Sequence, residues 1–108
     1  MNKGELVEQI YQDNDMTKSE CRELVSSLVE TITETVAEGE EVRLVNFGTF
    51  VPSPRQETVK RHPVTGEKID VPAKVVPKFR SGKGFNELVE ESLKPVKDGS
   101  GELEVKQK

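Results

Sequence analysis

Tryptophan is absent from this 108-residue chain, cysteine and histidine occur once each, and aromatics make up only 5%. A single Cys excludes an internal disulfide. Cys21 falls in a helical apolar stripe and reads as a buried thiol in a reducing compartment. His62, the only His, has no Cys or carboxylate cluster at metal-ligand spacing, so no metal site is expected. No nucleophile–base pair or paired-carboxylate site can be named, which leaves catalysis without support. Ser81-Gly82-Lys83-Gly84 lacks the spacing of a phosphate loop. No apolar run approaches the ~20 residues of a membrane span, and Met1 to Glu5 leads into an amphipathic helix, not a signal pattern. The expectation is a cytoplasmic, non-enzymatic protein without a cofactor.

Apolar residues are also scarce, at 32%. A chain this small buries a limited share of its surface. A homodimer with a shared core is therefore expected, with heterodimer pairing left open.

The net charge of -4 argues at first against an anionic partner, but its distribution reverses that. Residues 1–41 hold 3 Lys/Arg against 11 Asp/Glu, residues 42–86 hold 9 against 3, and residues 87–108 hold 4 against 6. A chain polarised in this way can bind phosphate with one region while another repels it.

The apolar periodicity predicts a short helix from Gly4 to about Asp13 (Leu6, Val7, Ile10, Tyr11) and a turn over residues 13–16. Thr17 to Glu20 fits a capping box opening a second helix, with Cys21, Leu24, Val25, Leu28, Val29, Ile32 and Val36 on one face and Gly39 at its end. Residues 41–50 switch to strand character, and Gly48-Thr49 reads as the turn of a hairpin. Pro52 and Pro54 exclude a regular central strand and suit an edge. Residues 75–79 return to the sheet, and residues 81–84 open a last helix that Pro95 stops. The polar segment 95–108, with its Gly-Ser-Gly piece, is expected to be disordered. The fold class is α+β: a helical hairpin on a three-stranded antiparallel sheet. Phe47, Phe50, Phe79 and Phe85 are expected to fill the seam between two protomers.

The most informative stretch runs from Arg55 to Lys78. It reads as two extended polar strands with a turn at Thr65-Gly66, where Gly accepts a positive φ, and with Pro63 near the tip. These strands carry too few large apolar side chains for a core of their own. A hairpin that cannot fold onto itself but is rich in Arg and Lys suits an anionic surface, nucleic acid first.

Four separated pieces, in order, carry a resemblance: Met1-Asn2-Lys3 with Glu5-Leu6, Phe47-Gly48-Thr49-Phe50, Arg61-His62-Pro63 with Thr65-Gly66-Glu67, and Phe79-Arg80-Ser81-Gly82-Lys83. Over about residues 1–94 the chain resembles the bacterial histone-like DNA-bending proteins, HU and integration host factor. The resemblance implies an intertwined dimer whose two β-ribbon arms, about residues 53–76 here, enter the minor groove of double-stranded DNA. It implies that Pro63 is the wedge that intercalates between base pairs. Proline suits that role, being compact, stiff and without an amide donor to strand in a base stack.

The same resemblance assigns DNA contacts to Arg55, Lys60, Arg61, His62 and Lys74 on the arm. It assigns others to Lys78, Arg80 and Lys83 on the body and to Lys3 near the first helix. The chain departs from the family pattern at His62, where Asn is usual, at Asn46, where Gly is common, and at Asn86, where Lys is frequent. The function implied is an architectural protein that bends DNA with little sequence preference and favours nicked or flexible duplexes. The alternatives are a site-specific bender, or a protein-interaction module working through the acidic helices.

Overall fold

Asn2 opens the first helix: its side-chain oxygen accepts from the Glu5 amide at 2.9 Å, satisfying one of the orphan donors at a helix start. The computed structural model describes residues 1–108, which form two units, Met1–Glu40 and Glu41–Lys108. The first holds α1 (Lys3–Asp13) and α2 (Lys18–Ala37). The capping box expected at Thr17 forms in both directions. The Glu20 amide donates to the Thr17 hydroxyl at 3.1 Å, and the Thr17 amide donates to the Glu20 carboxylate at 3.2 Å. Such a cap contributes about 1 kcal/mol to the helix. Gly39, at φ 93, closes α2 as read.

Between these helices Val7, Cys21 and Val25 are buried, with Ile10 and Met16 packed against them. Cys21 is fully covered, as its place in the stripe required. Val25 is buried with it and Ile32 and Val36 are half-buried, but Leu24, Leu28 and Val29 are 52%, 53% and 54% exposed. Periodicity alone marked these residues as core, but one chain does not cover them.

The second unit begins with β1 (Val42–Leu44), β2 (Gly48–Arg55), β3 (Thr58–Arg61), β4 (Lys68–Val71) and β5 (Lys74–Ser81). It continues with α3 (Lys83–Ser92), β6 (Leu93–Lys97) and β7 (Leu103–Gln107). The main sheet is antiparallel in the order β1-β2-β5. Its first turn lies three residues earlier than expected. Gly48 and Thr49 are already in β2, and the chain reverses through Val45 and Asn46, with the Phe47 amide donating to Leu44 at 3.1 Å. Asn46 supplies the positive φ of 65, a conformation Asn tolerates better than most residues. Gly48 serves close approach, because a Cβ there would run into the Phe79 ring and lie 2.6 Å from the Arg80 carbonyl oxygen.

Pro52 and Pro54 do not end the strand. β1 covers β2 only over Gly48–Phe50, so the proline half has a single neighbour, β5. Pro52 lies opposite Pro77, and two prolines can face each other only in a pair without ladder hydrogen bonds. Phe50 and Phe79 rings meet at 4.7 Å, and Phe47 stacks on Phe85 at 5.4 Å. The four rings thus cluster within one chain, while Phe47, Phe79 and Phe85 stay 44%, 37% and 38% exposed.

The expectation of a disordered tail over residues 95–108 is corrected. Helix α3 ends at Ser92, before Pro95, and β6 pairs with β7 from Leu93↔Gln107 to Lys97↔Leu103. Low apolar content had suggested disorder, yet the turn is firmly tied. The Asp98 carboxylate accepts from the Ser100 hydroxyl at 2.7 Å, the Ser100 amide at 2.8 Å and the Glu102 amide at 3.0 Å. Those bonds, led by the Ser100 hydroxyl, hold the Asp98 carboxyl below its ordinary 3.8. A carboxyl lowered by folding stabilises the turn above its unfolded value and loses that contribution as pH falls through the folded one. The turn is expected to hold through the ordinary aspartate range and to open only at more acidic pH, seen as loss of amide-exchange protection at Ser100 and Glu102. Asp98→Ala should show the same loss at neutral pH.

Candidate nucleic-acid interface

Residues directly opposite in an antiparallel sheet project to the same face, and alternate residues along a strand share it. The unbroken β2–β5 register therefore sorts the main sheet by chemistry. One face carries Val42, Leu44, Phe50, Pro52, Val75, Pro77 and Phe79. The other carries Arg43, Arg55, Lys74, Lys78 and Arg80, with Thr49, Val51, Ser53 and Val76 among them. No carboxylate occurs at a paired position of that second face.

Arg43 lies opposite Thr49, which lies opposite Arg80, so these form one row across three strands. At the far end Arg55 and Lys74 face each other directly. Like charges in such a position repel, and the repulsion disappears when an anion lies between them. Lys83, the first residue of α3, is 86% exposed and 3.8 Å from Glu87. It lines one recess with Arg43, Thr49, Arg80 and the Gly82 helix start. A phosphate there would meet these three cations and the free amides of a helix N-terminus.

Beyond Arg55 and Lys74 the ladder lapses for two residues on each side and resumes as the separate β3–β4 ribbon. Nearly every position of that ribbon is exposed. Lys60 faces Ile69, and Arg61 faces Lys68, a second opposed cation pair, with Asp70 on the same face as Arg61. His62 has a specific local task. Its Nδ1 accepts from the Val64 and Thr65 amides, both at 3.2 Å. Its own amide and carbonyl bond Glu67 at 2.7 Å and Gly66 at 2.9 Å. With Nδ1 an acceptor, Nε2 carries the proton and is the nitrogen able to donate outward. Gly66 takes φ 74, the positive φ expected of the turn. This bracing presents Pro63 and Val64 at the tip, Val64 being 86% exposed.

In the helical unit, Lys3 is the first residue of α1 and lines a recess with Lys18, Arg22 and Ser26. Lys3, Lys18 and Arg22 are all the Lys and Arg residues of positions 1–41. Lys18 is bonded to Glu8 at 3.2 Å.

The second unit thus brings Arg55, Lys74, Lys78, Arg80 and Lys83 to one sheet and its adjoining helix start, with Lys60, Arg61, His62 and Pro63 on the ribbon. Sequence reading missed Arg43 and Lys68, and Lys18 and Arg22 beside Lys3. Strand alternation around Val42 and Leu44 could have found Arg43, and pairing across the arm turn could have found Lys68. The helical recess left no linear signal.

A carboxylate-free cationic sheet face continued by a polar, cation-bearing ribbon is the equipment of a nucleic-acid-binding protein. The comparisons with known proteins give the same class. The chain belongs to the bacterial DNA-binding protein family, whose model matches residues 1–90. It is 42% identical over 89 residues to DNA-binding protein HU of Nostoc sp., covering 82% of this chain and 95% of that one. It is 38% identical to DNA-binding protein HRL18 of Rhizobium leguminosarum, covering 82% and 98%. Among solved structures it is similar to Anabaena HU in a cocrystal with DNA, with a TM-score of 0.79, 42% identity, and 82% and 97% covered. This is a DNA-binding, histone-like family of non-enzymatic proteins. None of the helices is long and apolar enough to cross a membrane.

Proposed function

We propose that this protein is a homodimeric architectural factor of the nucleoid that binds and bends double-stranded DNA with little sequence preference. The observation that carries the reading is the unopposed cationic sheet face running toward the ribbon. Lys78, Arg80, Arg43 and Lys83 neutralise backbone phosphates, and Lys3 adds a contact from the helical unit. The arm, through Arg55, Lys74, Lys60 and Arg61, follows the groove with His62 Nε2 as a donor. Pro63 wedges into a base step. Unstacking a step costs a few kcal/mol, offset by the longer protein contact that bent DNA allows. No paired base-reading constellation accompanies these groups, which fits phosphate and shape readout.

The dimer is supported by what one chain leaves uncovered. Val7, Cys21, Val25 and Val51 are the only buried hydrophobic residues, too small a core for a domain of this length. A second copy covering Leu24, Leu28, Phe47 and Phe79 would complete it.

The test is binding to a ~35 bp duplex, intact and nicked, across a salt titration. Each neutralised phosphate contributes about -0.9 to the slope of log K against log salt. The expected result is a slope of several units with tighter binding to the nicked duplex. Pro63→Ala should keep the slope and lose most of the nick preference. Equal affinity of the unsubstituted protein for nicked and intact DNA would remove the bending reading, and no binding at low salt would remove DNA binding altogether.

A further inference from the structure

The β6–β7 hairpin lies beyond the residues matched by the family, and its two edges differ. The Asp98 amide donates to Glu102 and the Lys108 amide to Ser92. Alternation along the ladder then directs the backbone groups of Ser92, Lys94, Val96 and Asp98 toward β7, and those of Glu102, Glu104, Lys106 and Lys108 toward β6. On the free edge of β6 the central outward residue is Pro95, which has no amide to offer. On the free edge of β7 the outward residues are Leu103, Val105 and Gln107, each with a donor and an acceptor. One edge is blunted, and the other can accept a further strand.

The side chains of β7 specify which strand. Residues 102–108 read Glu-Leu-Glu-Val-Lys-Gln-Lys, with both acids before Val105 and both cations after it. All four charged residues share one face of the strand. We propose that β7 pairs with the β7 of a second copy, antiparallel about a two-fold at Val105, to form a four-stranded sheet β6-β7-β7-β6. In that register Glu104 meets the partner's Lys106, Glu102 meets the partner's Lys108, and Val105 meets itself. A parallel pairing in register would set like charges together instead. The arrangement also relieves a conflict within the hairpin. Lys94 lies directly opposite Lys106, with Glu104 reaching Lys106 only along the strand at 3.6 Å. A second copy supplies a carboxylate on the open side of Lys106. Leu103 and Val105, 67% and 72% exposed in one chain, lie on the opposite face of the enlarged sheet. Where the arms hold DNA, this join sets DNA-bound protomers side by side. That consequence rests on the proposed function, whereas the pairing itself does not.

The test is cross-linking of the full chain under mild oxidation. Central hydrogen-bonded partners have Cα atoms about 5.5 Å apart, within disulfide reach. Val105→Cys should therefore form a covalent dimer, whereas Leu103→Cys, about 13 Å from its own copy in this register, should not. Cys21 is buried, and the unsubstituted chain is the blank. Adding Glu104→Lys or Lys106→Glu to Val105→Cys should each abolish the cross-link, because each opposes like charges. Mixing the two doubly substituted proteins restores complementarity across the two-fold, and a mixed cross-linked species should return even though each hairpin still carries its own change. The proposal is overturned if Val105→Cys gives no cross-link, if Leu103→Cys cross-links as readily, or if the mixture stays uncrosslinked.

Discussion

Reversing Arg55 and Lys74 to Glu together is expected to weaken DNA binding by on the order of 100-fold at moderate salt and to lower the salt slope by about 4, because the proposed homodimer carries the pair twice. The two residues face each other across β2 and β5 at the end of the main sheet nearest the ribbon. In the free protein their repulsion is a cost, so reversal to two carboxylates leaves folding little changed. In the proposed complex the same pair would hold phosphate with charge-assisted hydrogen bonds, each contributing ~1.5–3 kcal/mol, and solvent screening lowers that figure at an exposed site. The measurement is fluorescence anisotropy with a labelled duplex over a salt series. A double variant that binds with unaltered affinity and slope would place the phosphates elsewhere.

Gly48→Ala is expected to be the most damaging single methyl group in the chain. The added Cβ would collide with the Phe79 ring and sit 2.6 Å from the Arg80 carbonyl oxygen. Alone, the ring would be free to rotate away, but it is held between Phe50 at 4.7 Å and Phe47 at 5.3 Å. The carbonyl belongs to β5 backbone and cannot yield without opening the β2–β5 ladder. Overpacking of this kind costs on the order of 3 kcal/mol, which for a domain of this size lowers Tm by more than about 10 °C. DNA binding should fall with it, since Arg80 and Lys78 ride on the displaced strand. Thermal unfolding by circular dichroism reads the first effect, and an unchanged Tm would show that the aromatic cluster is looser than its distances imply. Gly39→Ala is the comparison: a positive φ with no neighbour within 4 Å, and so a smaller, purely conformational cost.

Much of this was legible in the chain because it depends on short-range rules. The capping box at Thr17 and Glu20, the helical stripe through Cys21, the positive φ at Gly66 and the strand-to-helix change at Gly82 each follow from residues a few positions apart. The arm was legible because it has no core. A cationic hairpin with a proline at its tip is conspicuous for lacking the apolar residues that would explain it. Where the reading failed, one residue type had two uses. Gly48 was taken for a turn because glycine relieves backbone strain, but here it makes room for an aromatic ring. Pro52 and Pro54, by contrast, were read as suiting an edge, and they lie where β1 has ended and β5 is the only neighbour, with Pro77 facing Pro52. Residues 95–108 looked disordered by composition, while Asp98 supplied a turn that composition does not register.

The sequence by itself determined the family, the α+β class, the charge polarity between residues 1–41 and 42–86, and the cations of the arm. These follow from residue identity and local spacing. Only the tertiary structure decided which cations share a face. Arg43 joins Arg80 through Thr49, Arg55 meets Lys74, and Arg61 meets Lys68, because strand register sets those neighbours and register depends on contacts distant in sequence. The same holds for β7, whose charges are plain in the sequence. Their common face and the free edge beside it exist only once β6 has paired on the other side.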